Sequence, residues 1–270
     1  MGNRSTDIFL ETQRPAPRTS SGPSILDEFH LPATASSQKA CIRKYRDSDR
    51  EAVRRICCDT GFLGGPIDAI YRDRELFADL ITGPYLDDEP DWALVAEFDG
   101  RVVGYLLGSV SKYFHLKLIR SGFHTARKML AKMVTGRYAD HPRSEQFVRW
   151  VWITGFRERP KHPDRAAHLH FNLEDVYRGR TIGKRIWLAY ERMLYAEGID
   201  HYYGEFFSHA DRQPEQIYAR YGFEVFDRRE TTMFQPEIPH PVHVVCAYKR
   251  LSASPPSGRR IRRGSPQDVA

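Results

Sequence analysis

Residues 169–188 read LHFNLEDVYRGRTIGKRIWL. An apolar strand ends at Leu173, a turn carrying Gly179 and Gly183 follows, and an amphipathic helix begins. A strand, a glycine-bearing turn and a helix N-terminus make an anion site. The N–H groups of the first helical turn have no intrahelical acceptor, and the peptide dipoles add about half a positive charge there. Small residues let a diphosphate approach the main chain, and Arg180 and Lys184 add charge. The alternative is a tight strand-to-helix turn whose basic residues face water. Two other phosphate motifs do not fit. GxxxxGK[ST] would need a glycine at Arg178 or a hydroxyl residue at Arg185, and GxGxxG fails after Gly179.

Working outward, CIRKYR at 41–46 reads as a strand, and Asp47-Ser48-Asp49 offers caps for a helix with Ala52, Val53 and Ile56 at helical spacing, stopped by Gly61. A second helix over IDAIYRDRELFADLI is expected to end before Gly83-Pro84. In DWALVAEFDGRVVGYLLGSV, Asp99-Gly100 between two apolar runs is a hairpin signal. A basic amphipathic helix follows within 112–137, with Ile119, Phe123, Ala126, Leu130 and Met133 predicted on its apolar face, and then a second apolar run, EQFVRWVWITGF. After the strand at 169–173 come a long helix closed by Gly198, the strand HYYGEFFS, a short helix in QPEQIYARYGF ending at Gly222, and two last strands joined by a Pro-rich loop. The order β-α-α-β-β-(insertion)-β-α-β-α-β-β predicts an α/β (α+β) fold with a mixed sheet flanked by helices.

Arg178, Gly179, Arg180, Ile182 and Gly183 resemble the acyl-CoA-binding motif of the GNAT superfamily of N-acetyltransferases, Q/R-x-x-G-x-G/A, in its common form R-G-R-G-I-G. Thr181 stands where the middle glycine is usual. IRKYRDSDREAVRRIC is similar to that family's first strand and helix, WALVAEFDGRVVGYLLGSV to its second and third strands, and IYARYGFE to its late FYxxxGF helix. The resemblance covers about 41–251. Within the superfamily, the chain looks closest to the acetyltransferase-like domain of O-GlcNAcases and its bacterial relatives, although Asn172 stands where those often carry Asp.

The resemblance implies a mostly antiparallel central sheet with one splayed strand pair and a helical insertion at 111–164. It implies acetyl transfer from acetyl-CoA, as cosubstrate, to a primary amine by direct attack in a ternary complex. The cofactor-binding set would be Phe171, Asn172, Leu173, Arg178, Gly179, Arg180, Thr181, Ile182, Gly183 and Lys184. Tyr218 would face the cosubstrate sulfur. Glu205, 13 residues before it on the next strand, would be the base, and Glu174, Asp175 and His209 would meet the substrate. A simple amine has a pKa near ~10.4 and must lose a proton to react. His168 and His170 share a strand face but lack a third ligand, so they read as wall residues and no metal is expected. The competing reading is a non-catalytic acetyltransferase-like binding module.

Composition narrows the partners. Hydrophobic residues make up 41% and charged residues 28%, enough for a real core. Mean hydropathy is −0.56, and no apolar run approaches the ~18–20 residues of a membrane span. Cys41, Cys57, Cys58 and Cys246 fit neither zinc nor disulfide spacing and read as reduced thiols of a cytoplasmic protein. Of the +6 formal charge, the tail after Ser252 holds Arg259, Arg260, Arg262 and Arg263. Nucleic-acid binding by that tail is not required, and no specific nucleic-acid partner is expected. Residues 1–40 read as a mostly disordered leader with a short ordered piece around Ile25 to Leu31, and residues 252–270 as a disordered tail. Met1-Gly2-Asn3-Arg4-Ser5-Thr6 fits the short N-myristoylation pattern. The acceptor is expected to be a small-molecule or peptide amine. The insertion could cap its cleft, mediate a homodimer or rest on a membrane surface.

Overall fold

A computed structural model describes residues 40–111, 114–178 and 181–252. The expectations for the leader, the tail, and Gly179 and Arg180 fall outside the described residues. The elements run β1 Cys41–Lys44, α1 Arg50–Asp59, α2 Arg74–Leu86, β2 Ala93–Phe98, β3 Arg101–Ser109, α3 Phe114–Val134, α4 Pro142–Ile153, β4 Ala167–Leu173, α5 Ile182–Ala196, β5 His201–Ser208, α6 Glu215–Ala219, β6 Glu224–Thr231 and β7 Val242–Arg250. The strands form a sheet of order β1-β2-β3-β4-β5-β7-β6. Every neighbouring pair is antiparallel except β4 and β5. The fold is thus mixed α/β, as the element order predicts, and its sheet is mostly antiparallel, as the resemblance implies.

β3 shows why both faces of the sheet are covered. Its sequence, RVVGYLLGS, is apolar nearly throughout, and a strand buried on both sides needs no polar alternation. Tyr105 and Leu107 join a core with Val53 and Ile56 of α1, Phe77 of α2 and Met129 of α3. Leu106, between them, joins the opposite core with Leu169 of β4, Ile186 and Tyr190 of α5 and Tyr202 of β5. The β2–β3 turn forms because Asp99 and Gly100 both take positive φ, 51° and 75°, which matches the twist of a two-residue hairpin.

Two local expectations are corrected. Helix α2 does not end before Gly83-Pro84 but runs through them to Leu86. Pro84 falls in the last turn, where only one donor is lost, and Thr82, Gly83 and Pro84 are all buried there. Among the described side chains of α3, Phe114, Thr125, Ala126 and Met129 are buried, and Leu118 and Met133 pack partly against the core. Ile119 and Phe123, placed by periodicity on the apolar face, are 50% and 54% exposed. The helix packs on α2 and α4 and presents them a different stripe.

β3 and β4 approach closely at Gly104. A Cβ there would lie 2.5 Å from Leu173 Cδ1 and 3.0 Å from the Asn172 carbonyl oxygen. Gly104→Val is expected to cost about 1–3 kcal/mol by overpacking. Urea unfolding reads this, and a variant as stable as the parent would show that the strands can yield.

Candidate functional site

β4 and β5 pair only at Ala167↔Tyr202, His168↔Tyr203 and Leu169↔Gly204. Both strands then run on, β4 to Leu173 and β5 to Ser208, without pairing to each other. The outer edges stay occupied, β4 by β3 and β5 by β7. The Glu174 N–H donates to the Val103 carbonyl at 2.9 Å. Main-chain groups alternate along a strand, so residues 170 and 172 also turn toward β3, and Phe171 and Leu173 turn theirs into the gap. Asn172 therefore points its main chain to β3, while its side chain donates to the Tyr105 hydroxyl at 2.9 Å.

The gap holds a crevice of about 30 Å³ lined by Leu169, Phe171, Trp187, Glu205, Phe206 and Tyr218, among others. It thus brings Glu205 and Tyr218 to one cavity. Tyr218 stacks on Phe206, with ring centroids 4.4 Å apart and planes at 19°, and packs on Trp187 at 5.4 Å. Burial raises its phenol pKa, and the charges of Arg212 and Arg178 work the other way. Trp187 is 8% exposed, and its indole N–H has no acceptor among the described residues.

Helix α5 starts directly beside this crevice. Thr181 is exposed at its N-cap position and makes no side-chain cap. Arg185 makes the first helical bond back to the Thr181 carbonyl, 3.0 Å, so the amides of Ile182, Gly183 and Lys184 precede the ladder. A Cβ at Gly183 would lie 3.5 Å from the Phe171 ring, so this turn sits against the open edge of β4.

The other expected residues are placed differently. Arg178 is engaged on three acceptors: the carbonyls of Leu173 and Gly64, both at 3.1 Å, and Asp175 at 2.9 Å. Arg212 donates to the Leu63 carbonyl at 2.6 Å. Arginines from the ends of both parted strands thus grip one loop, in which Leu63 and Gly64 both have positive φ. Glu174 is 13% exposed and pairs with Arg55 and Arg101, each at 2.9 Å. Asp175 is 83% exposed. His209 lies just past the end of β5, with its Nδ1 buried, 3.9 Å from the Asp211 carboxylate and without a hydrogen-bond partner among the described residues.

On the opposite face of the sheet lies a polar cluster that the sequence reading mostly missed. His168 Nδ1 is 2.7 Å from the Tyr85 hydroxyl, and the Tyr105 hydroxyl is 3.1 Å from His170 Nε2. The Asn172 amide, which donates to the Tyr105 oxygen, also lies 3.3 Å from His170 Nε2. Burial pushes His168 down to about 3 and His170 down to about 4, so both are neutral at pH 7. Burial likewise pushes the phenols of Tyr85, Tyr105 and Tyr203 up, keeping them protonated. Glu205 joins this face through His162, whose Nε2 is 2.9 Å from its carboxylate. Burial alone would raise the Glu205 carboxyl, but the His162 hydrogen bond and the positive charge of Arg159 outweigh it and hold the group down at about 2. Period-two alternation in HLHFN does put His168, His170 and Asn172 on one face, but nothing local names their tyrosine partners on α2, β3 and β5.

A wider open cleft, about 460 Å³, lies between the N-terminus of α2 and the helices of the insertion. Its Asp73 is already held by Lys132 and Tyr138, and it contains none of the expected residues, so size does not identify the site here.

No protein-family model matches the chain, and no curated protein does. Solved structures with a similar course of chain include SsHAT, at 24% identity over 79% of this chain and 98% of that one, with a TM-score of 0.49. Another is the polyamine N acetyltransferase of Drosophila melanogaster, at 14% identity over 79% and 100%, TM-score 0.48. A third is a GCN5-related N-acetyltransferase from Kribbella flavida, at 14% identity over 78% and 98%, TM-score 0.46. Likeness this distant carries no argument about chemistry, which rests on the geometry above.

Proposed function

We propose that this chain is an acyl-CoA-dependent N-acetyltransferase that moves an acetyl group from acetyl-CoA to a primary amine by direct attack in a ternary complex. One observation carries the reading: the parting of β4 from β5 beyond Leu169↔Gly204, which leaves the main-chain groups of Phe171 and the N–H of Leu173 facing a gap beside the first-turn amides of α5. A ligand with amide carbonyls and a diphosphate suits these donors. The unpartnered Trp187 indole N–H in the crevice wall is a further donor in search of a carbonyl. The finer likeness to the acetyltransferase-like domain of O-GlcNAcases rests on the quoted sequence segments alone.

In this reading the cosubstrate supplies an activated acetyl carbonyl. A main-chain N–H on the open edge of β4 donates to its oxygen as negative charge develops there, and such a donor is typically worth ~2.7–4 kcal/mol of barrier. The Tyr218 phenol, kept protonated by burial, donates to the departing sulfur. Glu205 stays ionised and bonded to His162, and this pair takes up the proton that the amine releases. A carboxylate held this low, in part by the His162 hydrogen bond, is a weak base by itself. The neutral histidines and tyrosines opposite would form the acceptor wall, compatible with a small amine, an amino sugar or a peptide amine.

Calorimetric titration with acetyl-CoA, together with thermal unfolding in its presence, tests the proposal. One site and a rise in Tm are expected, since a ligand at about 100 times its Kd stabilises by ~2.7 kcal/mol. Neither heat nor protection at millimolar acetyl-CoA would overturn it. Binding without turnover across a panel of amines would mark a non-catalytic binding module instead.

A further inference from the structure

Residues 114–157, the two helices of the insertion and the turn after them, carry nine Lys or Arg against two acidic residues. That excess exceeds the +6 of the entire chain, so the remainder of the molecule is slightly acidic. Helix α3 contains no acidic residue at all. Its outward side holds Arg120, Arg127 and Lys128, all exposed. None of the three has an ion-pair partner among the described residues.

The same side carries the apolar residues that the core did not take. Ile119 is 50% and Phe123 54% exposed, one helical turn apart. Phe123 meets Trp152 of α4 edge to face, with centroids at 5.7 Å, and the Trp152 indole donates to the Ala126 carbonyl at 3.1 Å. Ile153 and Phe156 follow Trp152 along the chain, 65% and 74% exposed. Two packed helices thus present protruding aliphatic and aromatic side chains among uncompensated cations.

We infer that this face docks on an anionic membrane surface. The cations would meet lipid phosphates, while Phe123, Trp152 and the neighbouring aliphatic residues enter the boundary between headgroups and acyl chains. The charge argues against a second copy of this chain, because two such faces repel. The exposed Ile119 and Ile153 argue against a nucleic acid, which offers an aliphatic side chain little. The inference does not depend on the acetyltransferase reading.

Co-sedimentation of the full chain with vesicles tests it. Vesicles of phosphatidylcholine alone are compared with an equal mixture of phosphatidylcholine and phosphatidylglycerol, at about 0.1 M and about 0.5 M salt. Binding to the mixed vesicles at low salt is expected, weakened at least about tenfold by the combined R120E, R127E and K128E substitutions and severalfold by F123S. Circular dichroism confirms that these surface variants fold. Because the tail is also basic, a full-length chain with Arg259, Arg260, Arg262 and Arg263 changed to serine is run alongside and is expected to keep most of the binding. Any of three results overturns the inference. They are no sedimentation with the mixed vesicles, binding that follows the tail substitutions and ignores those on α3, and tighter binding to a short DNA duplex than to the vesicles.

Discussion

Tyr218→Phe is expected to lower kcat for acetyl transfer by about 10²-fold while leaving KM for acetyl-CoA within a few-fold of the parent. The substitution keeps the ring, and with it the stack on Phe206 and the contact with Trp187, and removes only the hydroxyl. That hydroxyl has a physical reason to act as a donor. Burial raises its pKa, so it enters the reaction protonated, and it lines the crevice where a sulfur would acquire charge. Full proton transfer from a phenol of pKa ~10 to a thiolate of pKa ~8.5 is uphill in water, so hydrogen bonding to the leaving group is the effect removed. Loss of such a donor at a developing anion costs about 3 kcal/mol of barrier, which is the fold-change expected. An unchanged kcat with the fold intact would reduce Tyr218 to a packing residue. A rise in KM at constant kcat would move its role to ground-state binding.

Acid is expected to weaken the fold well above the range in which carboxylates titrate. His168 and His170 have folded-state pKa values of about 3 and about 4, against an ordinary 6.5, because burial penalises the imidazolium. Between those limits the unfolded chain binds the protons that the folded chain refuses. Stability must therefore fall as pH drops from about 6.5 toward 4, and it is fully present above 6.5. Each group contributes at most ~1.4 kcal/mol per pH unit, so the pair accounts for a loss of about 4 kcal/mol between pH 7 and pH 5. Glu205 behaves differently: its low carboxyl stabilises the fold above the ordinary carboxylate range, and that contribution is lost only as pH falls toward 2. Urea midpoints across this range read the effect. His168→Gln and His170→Gln should each flatten the slope by about half, whatever they do to stability at pH 7. An unchanged slope in both variants would show that the imidazoles charge in place, with water admitted to the cluster.

The element order was legible because each signal was local. Asp99-Gly100 specified its own turn, Gly198 and Gly222 ended their helices, and the apolar strand at 169–173 led into its helix through a glycine turn. What required contacts distant in sequence stayed hidden. Periodicity gives α3 an apolar stripe but cannot say which stripe α2 and α4 will cover, and so it turns Ile119 and Phe123 inward where the structure exposes them. Pro84 looked like a stop because its position in the last turn depends on where the helix begins. Tyr218 and Glu205 do share one cavity. The low carboxyl of Glu205, however, depends on His162, which lies in an irregular stretch 43 residues away, and Tyr85 is 83 residues from His168. Arg178 reads in the sequence as part of the cofactor-binding motif, and its geometry ties the end of β4 to the loop before α2.

The sheet can also be viewed as two antiparallel ribbons, β1 to β4 and β5 to β6, joined along a seam of three rungs. So short a seam cannot by itself fix the angle between the ribbons. Helix α5 spans it as a splint. Tyr190 packs on Tyr202 from one ribbon and donates to the His168 carbonyl of the other at 2.9 Å, and Trp187 touches Phe171 on one side and Phe223 on the other. The width of the opening is thus set by the bulk of a few aromatic rings rather than by hydrogen bonds between the strands that border it.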